Sequence, residues 1–390
     1  MAGIFTLRVG TLVFGNGSLA TAGEHVRNLA RKENPRALVV CGKTIGKSDI
    51  LKQLLAVLED AGVKAEVYSD VEPEPSFERA DELRKFIEKG SFDVVVGIGG
   101  GSSMDTAKAA AAAAGHGNVK DFIGVGKIPS RGCPMVMIPT TAGSGSEVTG
   151  SALFLDLADG GLKKGIVSPY MIPEVAILDP ETTVSCPPSV TNAAGMDALV
   201  HAIEAFVSIR AHESTDAMTL RAIELISQNI RTARYHGTDL AAREAVMVGS
   251  VLAGIGIGNA GLGMVHAIAH ALGGKNSIPH GVANTVVLPY VMEFNLPARV
   301  EKYAAIAKAM GVDTTGLSQR EAAELSVDAA LELMRDLGMA TSLKEMGLPM
   351  EAAEVLAEDA MTNTRHLSTN PRQPSLDEMR VVCRKIWEGM

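Results

Sequence analysis

One stretch constrains the fold more than any other: Val94-Val95-Val96-Gly97-Ile98-Gly99-Gly100-Gly101-Ser102-Ser103-Met104-Asp105-Thr106-Ala107-Lys108. A short, unbroken run of β-branched residues is the mark of a strand buried on both faces. Its passage through glycines into a helix is the join found in parallel α/β sheets. Glycines let a backbone approach a phosphate closely, and a helix N-terminus offers free N–H groups and partial positive charge. A plain turn capped by Ser103 needs neither three glycines nor two serines, so phosphate binding is the stronger reading. Similar short strands are expected at residues 37–41, 65–68 and 135–138, with helical spacing at 50–61 and 77–89 between them. This alternation predicts a Rossmann-like parallel sheet with helices on both faces. Residues 153–156 and 165–167, parted by Gly160-Gly161, read as an appended hairpin.

The loop is neither of the familiar nucleotide signatures. No lysine stands where a Walker loop needs one; Gly46-Lys47-Ser48 has that ending, but Cys41 sits where its first glycine belongs. A GxGxxG match does occur at Gly256-Ile257-Gly258-Asn259-Ala260-Gly261, in helical surroundings with no strand before it, and is read as a decoy. A second loop, Pro139-Thr140-Thr141-Ala142-Gly143-Ser144-Gly145-Ser146, follows another buried strand. Ligands of parallel sheets gather outside the carboxyl ends of strands, so the two loops support each other.

After Cys186-Pro187-Pro188 the pattern becomes helical throughout, with helices expected at 188–207, 215–231, 241–253, 297–310, 320–337, 351–361 and 375–387. The expected plan is a nucleotide-binding α/β domain over 1–185, an all-helical metal-binding domain over 186–390, and an active site in the cleft between them. Asp197 and His201 are i and i+4 on one helix, and His266 and His270 repeat that spacing on a later one. His280 follows a loop at 273–279 able to fold it back. The flanks of both pairs are apolar, and buried imidazoles and carboxylates need a partner. Asp with three His suits Fe(II), Zn(II) or a similar divalent ion. His25, His116, His212, His236 and His366 read as surface histidines.

Composition removes several classes. A net charge of −9 without any basic run argues against nucleic acid. Hydrophobic residues at 46% with only 4% aromatics imply a large aliphatic core. Four scattered cysteines form neither a zinc ribbon nor a disulfide framework. The N-terminus lacks a signal-peptide pattern, and the alanine run at 109–114 is too short to span a bilayer. A cytoplasmic protein without a membrane partner is the expectation.

Taken in order, these motifs resemble the iron-containing (group III) alcohol dehydrogenases, the family of lactaldehyde reductase and 1,3-propanediol dehydrogenase. The matching residues are Gly99-Gly100-Gly101-Ser102 with Asp105 and Lys108, then Pro139-Thr140-Thr141-Ala142-Gly143 with Ser146-Glu147, and then the run from Gly195 to Glu204. Gly261 to His270, Pro279-His280-Gly281 and Asn370-Pro371-Arg372 complete the set. The resemblance implies metal ligation by Asp197, His201, His266 and His280. It implies a cofactor, NAD or NADP, held at Gly99, Gly100, Gly101, Ser102, Asp105, Thr140, Thr141, Ser146 and Lys163. His270 is outside the family ligand set and is expected to face a small alcohol or aldehyde as a catalytic residue. Where many NAD-dependent members carry an Asp, this chain has Gly42 followed by Lys43, which favours acceptance of NADP. A homo-oligomer is expected, pairing through the alternating segment 5–14. Two other readings stay open: a glycerol-dehydrogenase- or dehydroquinate-synthase-like metalloenzyme, and a non-catalytic nucleotide- and metal-binding protein.

Overall fold

The apolar runs of the first half pair as one parallel sheet, since each alternates its side chains between two apolar layers. The computed structural model describes residues 7–276 and 278–390. It divides into two compact units, Leu7–Cys186 and 187–390 among those residues. The strands of the first unit are β1 (Thr11–Phe14), β2 (Arg36–Gly42), β3 (Lys64–Val71), β4 (Val94–Gly99), β5 (Gly124–Val125), β6 (Met135–Pro139), β7 (Ser151–Asp156), β8 (Leu162–Val167) and β9 (Val175–Leu178). Its helices are α1 (Ala22–Ala30), α2 (Asp49–Asp60), α3 (Phe77–Gly90) and α4 (Gly101–Ala113).

The six-stranded sheet runs β1-β9-β6-β4-β2-β3, all parallel. On one face Val39, Val94, Val96, Ile98, Val136 and Ile138 pack with α1 and α2 through Val26, Leu51, Leu54 and Leu58. On the other, Leu38, Val40, Val95, Met135 and Met137 meet Leu83 and Ile87 of α3 and Met104, Ala107 and Ala110 of α4. That period-two division is what a doubly covered sheet requires. The chain passes outward from β2 to β3 and then returns to the other side of β2 as β4. The resulting switch point, at the carboxyl ends of β2 and β4, is where doubly wound sheets bind ligands. The expected hairpin is present, with β7 and β8 antiparallel; β9 is a strand the sequence pattern did not reveal.

The second unit contains α5 (Pro188–Val207), α6 (Glu213–Tyr235), α7 (Leu240–Ala260), α8 (Met264–Asn276), α9 (His280–Asn295), α10 (Val300–Ala309), α11 (Gln319–Asp336), α12 (Glu351–Thr362), α13 (Thr364–Leu367) and α14 (Leu376–Glu388), and no strand among its described residues. From Gly195 to Val207 every residue of α5 is buried, and α6, α7 and α9 pack around it. The GxGxxG match falls at the end of α7. A Cβ on Gly256 would stand 2.3 Å from the Thr219 side chain, so that glycine serves helix packing and not a phosphate. By length and composition α7 alone among the described helices is apolar enough to cross a membrane, but 61% of its apolar window is buried in the protein. The expected loop at 273–279 is shorter than predicted, because α8 continues to Asn276; Ser277 lies outside the described residues, as do residues 5 and 6 of the N-terminal segment.

Candidate functional site

In the first unit, β4 ends at Gly99 with φ of 144°, a conformation open to glycine, and a Cβ there would lie 2.7 Å from Ser103 Oγ. Gly100 caps α4, and a Cβ on Gly101 would approach Ser144 Oγ at 3.0 Å. The start of α4 therefore packs closely on the Thr140–Ser146 segment, with its N–H groups and positive dipole end at the switch point. Thr140 N donates to Gly99 O at 2.9 Å, joining the two loops.

Behind the loops lies a polar brace. Asp105 Oδ1 accepts from Ser146 Oγ at 2.5 Å, and Oδ2 accepts from Leu153 N at 3.0 Å. Lys108 is fully buried and donates to the carbonyls of Ser146, Thr149 and Ser151 at 2.8, 3.1 and 2.6 Å. Burial holds its ammonium below the usual lysine range, opposed by Asp105 at 3.3 Å. Glu147 beside it is pushed up to about 7 by burial. Both Asp105 oxygens are thus taken by protein donors. Lys163 on β8 is paired with Glu74 at 2.7 Å, and Glu74 N donates to Ser102 Oγ at 3.3 Å. Gly42 ends β2, and Lys43 pairs with Asp70 at 3.0 Å with both side chains exposed.

In the second unit, α5, α8 and α9 bring four side chains together. His201, His266 and His280 place their Nε2 atoms 3.7, 4.0 and 3.9 Å from Asp197 Oδ1. His201 Nε2 is 3.1 Å from His266 Nε2. An ion about 2.1 Å from each of four tetrahedral ligands separates them by about 3.4 Å, close to the 3.7–4.0 Å between Asp197 Oδ1 and the three imidazoles and the 3.1 Å between His201 and His266. Two glycines allow the approach. A Cβ on Gly281 would meet Ala193 O of α5 at 2.2 Å, and one on Gly263 would meet Glu204 Oε1 at 2.9 Å.

The tautomer of His266 is set by Glu204. Its Nδ1 lies 2.6 Å from Glu204 Oε2, while Val265 N donates to Oε1 at 2.7 Å. Burial pushes Glu204 up to about 7 and holds His266 well below the usual imidazole range, with the neighbouring imidazoles of His201 and His270 adding to the latter. A neutral His266 with its proton on Nδ1 directs the Nε2 lone pair at the cluster. Asn284 Nδ2 stands at the meeting point, 2.6 Å from Asp197 Oδ1 and 3.1 Å from both His266 Nε2 and His280 Nε2, while its Oδ1 is buried without a partner. The carboxylate oxygen of Asp197 and the imidazoles of His201 and His266 are buried together, with His280 beside them a quarter exposed, and such a set fits a divalent ion better than its members fit one another.

His270 sits beside this cluster, its ring 5.9 Å from that of His266 and 5.4 Å from that of His280. The expectation for His366 is overturned: it is buried, because the one-turn helix α13 folds it toward His270, ring to ring 5.0 Å. Glu204 and Asn284 were also missed as site residues. Glu204 was within reach of the helical count, one further turn along the face of Asp197 and His201; Asn284 was not, because it lies i+4 from His280 on a helix the sequence pattern did not reveal. Nothing in the local pattern marks His366.

Two family models match almost end to end: "Iron-containing alcohol dehydrogenase" over residues 10–180 and "Fe-containing alcohol dehydrogenase family, C-terminal" over 191–387. The chain is 39% identical over 380 residues to long-chain-alcohol dehydrogenase 1 of Geobacillus thermodenitrificans, covering 96% of this chain and 94% of that one. It is 37% identical to sulfoacetaldehyde reductase of Bilophila wadsworthia, covering 97% of each. Among solved structures, a 1,3-propanediol oxidoreductase superposes with a TM-score of 0.95 at 36% identity, covering 99% of this chain and all of that one.

Proposed function

Because the chain belongs to the iron-containing alcohol dehydrogenase family, we propose that it transfers a hydride between NAD or NADP and a small alcohol or aldehyde, with one divalent ion held by Asp197, His201, His266 and His280. The observation that carries this reading is the convergence of three imidazole Nε2 atoms on Asp197 Oδ1, each within 4.0 Å. When bound, the ion supplies Lewis acidity toward the substrate oxygen and the nicotinamide a hydride donor or acceptor. The balance is alcohol plus NAD(P)⁺ against carbonyl, NAD(P)H and a proton.

The chain's own residues supply binding and orientation. Gly99, Gly100, Gly101 and Ser102 offer the pyrophosphate the N-terminus of α4. Thr140, Thr141 and Ser146 line the neighbouring loop, and Asp105 acts through Ser146. Lys163 reaches the ribose side, held by Glu74. Asp197 serves as an ionised ligand and not as a base, and His270 carries the proton of the substrate hydroxyl. Iron is the metal of the family name, yet the same donors favour zinc over iron in affinity. Reconstitution with each metal, followed by NAD(P)H absorbance over an alcohol and aldehyde panel, tests the reading; metal binding without turnover of any alcohol would favour a binding protein. The full-length matches to alcohol and aldehyde oxidoreductases favour this reading over a glycerol-dehydrogenase- or dehydroquinate-synthase-like one.

For the cofactor, acceptance of NADP is proposed. An acidic residue at the end of β2 repels a 2′-phosphate by about 1 kcal/mol in water and about 4 kcal/mol at an effective dielectric of 20. Gly42 removes that repulsion, while Lys43 shares its charge with Asp70. Gly42→Asp is expected to lower kcat/KM with NADP at least roughly tenfold, and Asp70→Asn, which frees Lys43, to raise it. Because a Cβ at Gly42 would lie 3.1 Å from Val71 O, the second variant guards against a merely steric effect. A native enzyme that prefers NAD tenfold and ignores both changes would refute this.

A homo-oligomer is proposed on the open edge of β1, which pairs only with β9 among the described residues and exposes Phe14 at 45%. Light scattering at micromolar concentration should give a multiple of 40.8 kDa; the monomer mass alone counts against it. The four free cysteines suit a reducing, cytoplasmic setting, which cell fractionation checks.

A further inference from the structure

Among the described residues three that are not glycine take a positive φ: Arg31, Glu74 and Ser91. Arg31 and Ser91 close helices α1 and α3, where a left-handed residue completes the last turn. Glu74 closes no helix. Its φ is 51°, and it stands between Pro73 and Pro75. A proline favours extended backbone in the residue before it, so this conformation is disfavoured twice. Such strain persists only where the surroundings impose it, and it gathers at functional sites. Here the surroundings are two strands and the glycine loop. Pro75 O accepts from Leu155 N of β7 at 3.0 Å, and Ser76 bridges to Leu155. Glu74 N donates to Ser102 Oγ at 3.3 Å, and Glu74 Oε1 accepts from Lys163 Nζ of β8 at 2.7 Å.

These ties decide where two donors point. With a lone pair of Ser102 Oγ engaged by Glu74 N–H, the hydroxyl proton is left for another acceptor, and the described residues offer it none. The Lys163 ammonium carries three N–H groups. Glu74 takes one, and no other described residue takes the rest, although the side chain is only 9% exposed.

We propose that Glu74 is a positioning residue for the cofactor, holding Ser102 and Lys163 so that a hydroxyl and an ammonium donate to one dinucleotide from two separate loops. The proposal rests on the cofactor reading above and adds a residue that acts through those two. A lysine held by a carboxylate has already given up much of its rotamer freedom, so less is lost when the ligand arrives. An acidic residue can stand beside a site for an anion because Lys163 matches its charge at 2.7 Å. The strain at Glu74 is what lets one residue reach both loops, its backbone N–H toward Ser102 and its carboxylate toward Lys163.

The test measures NADH and NADPH dissociation constants by nucleotide fluorescence, together with thermal melting, in native protein, Glu74→Gly and Glu74→Gln. Glycine accepts the left-handed conformation without strain and keeps the backbone N–H to Ser102, so only the carboxylate is lost. Glu74→Gly should weaken the better-bound nucleotide about tenfold while melting no lower than the native protein. Glu74→Gln keeps an acceptor for Lys163 and should lose less affinity. A residue that only shapes the turn would give the reverse, a lower melting temperature with unchanged dissociation constants. Lys163→Ala, alone and combined with Glu74→Gly, completes a cycle. Because the carboxylate acts through Lys163, the double variant should bind no more weakly than Lys163→Ala. Equal affinity in native protein and Glu74→Gly, tighter binding in Glu74→Gly, or additive losses in the cycle would each overturn the proposal. Native protein that binds neither nucleotide would end the cofactor reading and this proposal together, whereas unchanged binding in Glu74→Gly ends the proposal alone.

Discussion

Replacing His266 or His280 with alanine should strip the protein of its divalent ion and abolish turnover, while far-ultraviolet circular dichroism stays native. The expectation follows from how the four ligands share the load. Their donor atoms come from α5, α8 and α9, each imidazole Nε2 standing 3.7–4.0 Å from Asp197 Oδ1, so each loss opens a quarter of a four-coordinate shell. Buffer metal would then refill the site only weakly. Glu204→Gln provides a graded companion. It touches no ion but removes the charge that orients His266 through Nδ1 at 2.6 Å, and losses of such outer partners typically cost about 10–100-fold in metal affinity. Metal content by atomic absorption should therefore fall to near zero in His266→Ala, and in Glu204→Gln respond to the metal concentration supplied. Full activity in protein stripped by excess chelator would end the metal reading altogether.

What the chain disclosed in advance follows the range over which each signal acts. The Val94–Lys108 run was legible because a doubly buried strand, a glycine turn and a helix start are all local, and β4 and α4 form where that pattern puts them. Helix α5 was legible end to end, from the prolines at its start to Val207. Strand β9 was not: four residues between Pro173 and Pro180 become a strand only by pairing with β1 and β6, more than thirty residues away. Helix α9 was hidden because Pro279 reads as loop although it serves as the cap before His280. At the site, Asp197, His201 and His266 announced themselves by spacing and apolar flanks. His366 did not, because its burial depends on Asn370 and Thr369 binding a loop about a hundred residues earlier. Lys43 carried a readable charge, yet its partner Asp70 lies on another strand and limits what that charge can do. Local rules thus located the chemistry, and long-range pairing set its surroundings.

His270→Ala should lower turnover by about 10²–10⁴-fold and leave the metal content close to native. The range is what a positioned proton donor or acceptor contributes; a histidine that only fills space would cost on the order of a few-fold. Three observations favour the larger effect. His270 lies one turn beyond His266 on α8, so its side chain shares the face that carries a ligand. Its ring stands 5.9 Å from His266 and 5.4 Å from His280, adjacent to the donor cluster yet outside its four atoms. The reaction also releases or consumes one proton at the substrate oxygen, and Asp197, committed as a ligand, is unsuited to carry it. His270→Gln separates the alternatives: an amide keeps hydrogen bonding and most of the volume but cannot relay a proton in the same way, so it should rescue packing and not rate. The comparison requires single-turnover measurement, since slow product release would conceal a loss in the chemical step. If His270→Ala loses metal as completely as His266→Ala, then His270 is a fifth ligand and the division of labour drawn along α8 is wrong.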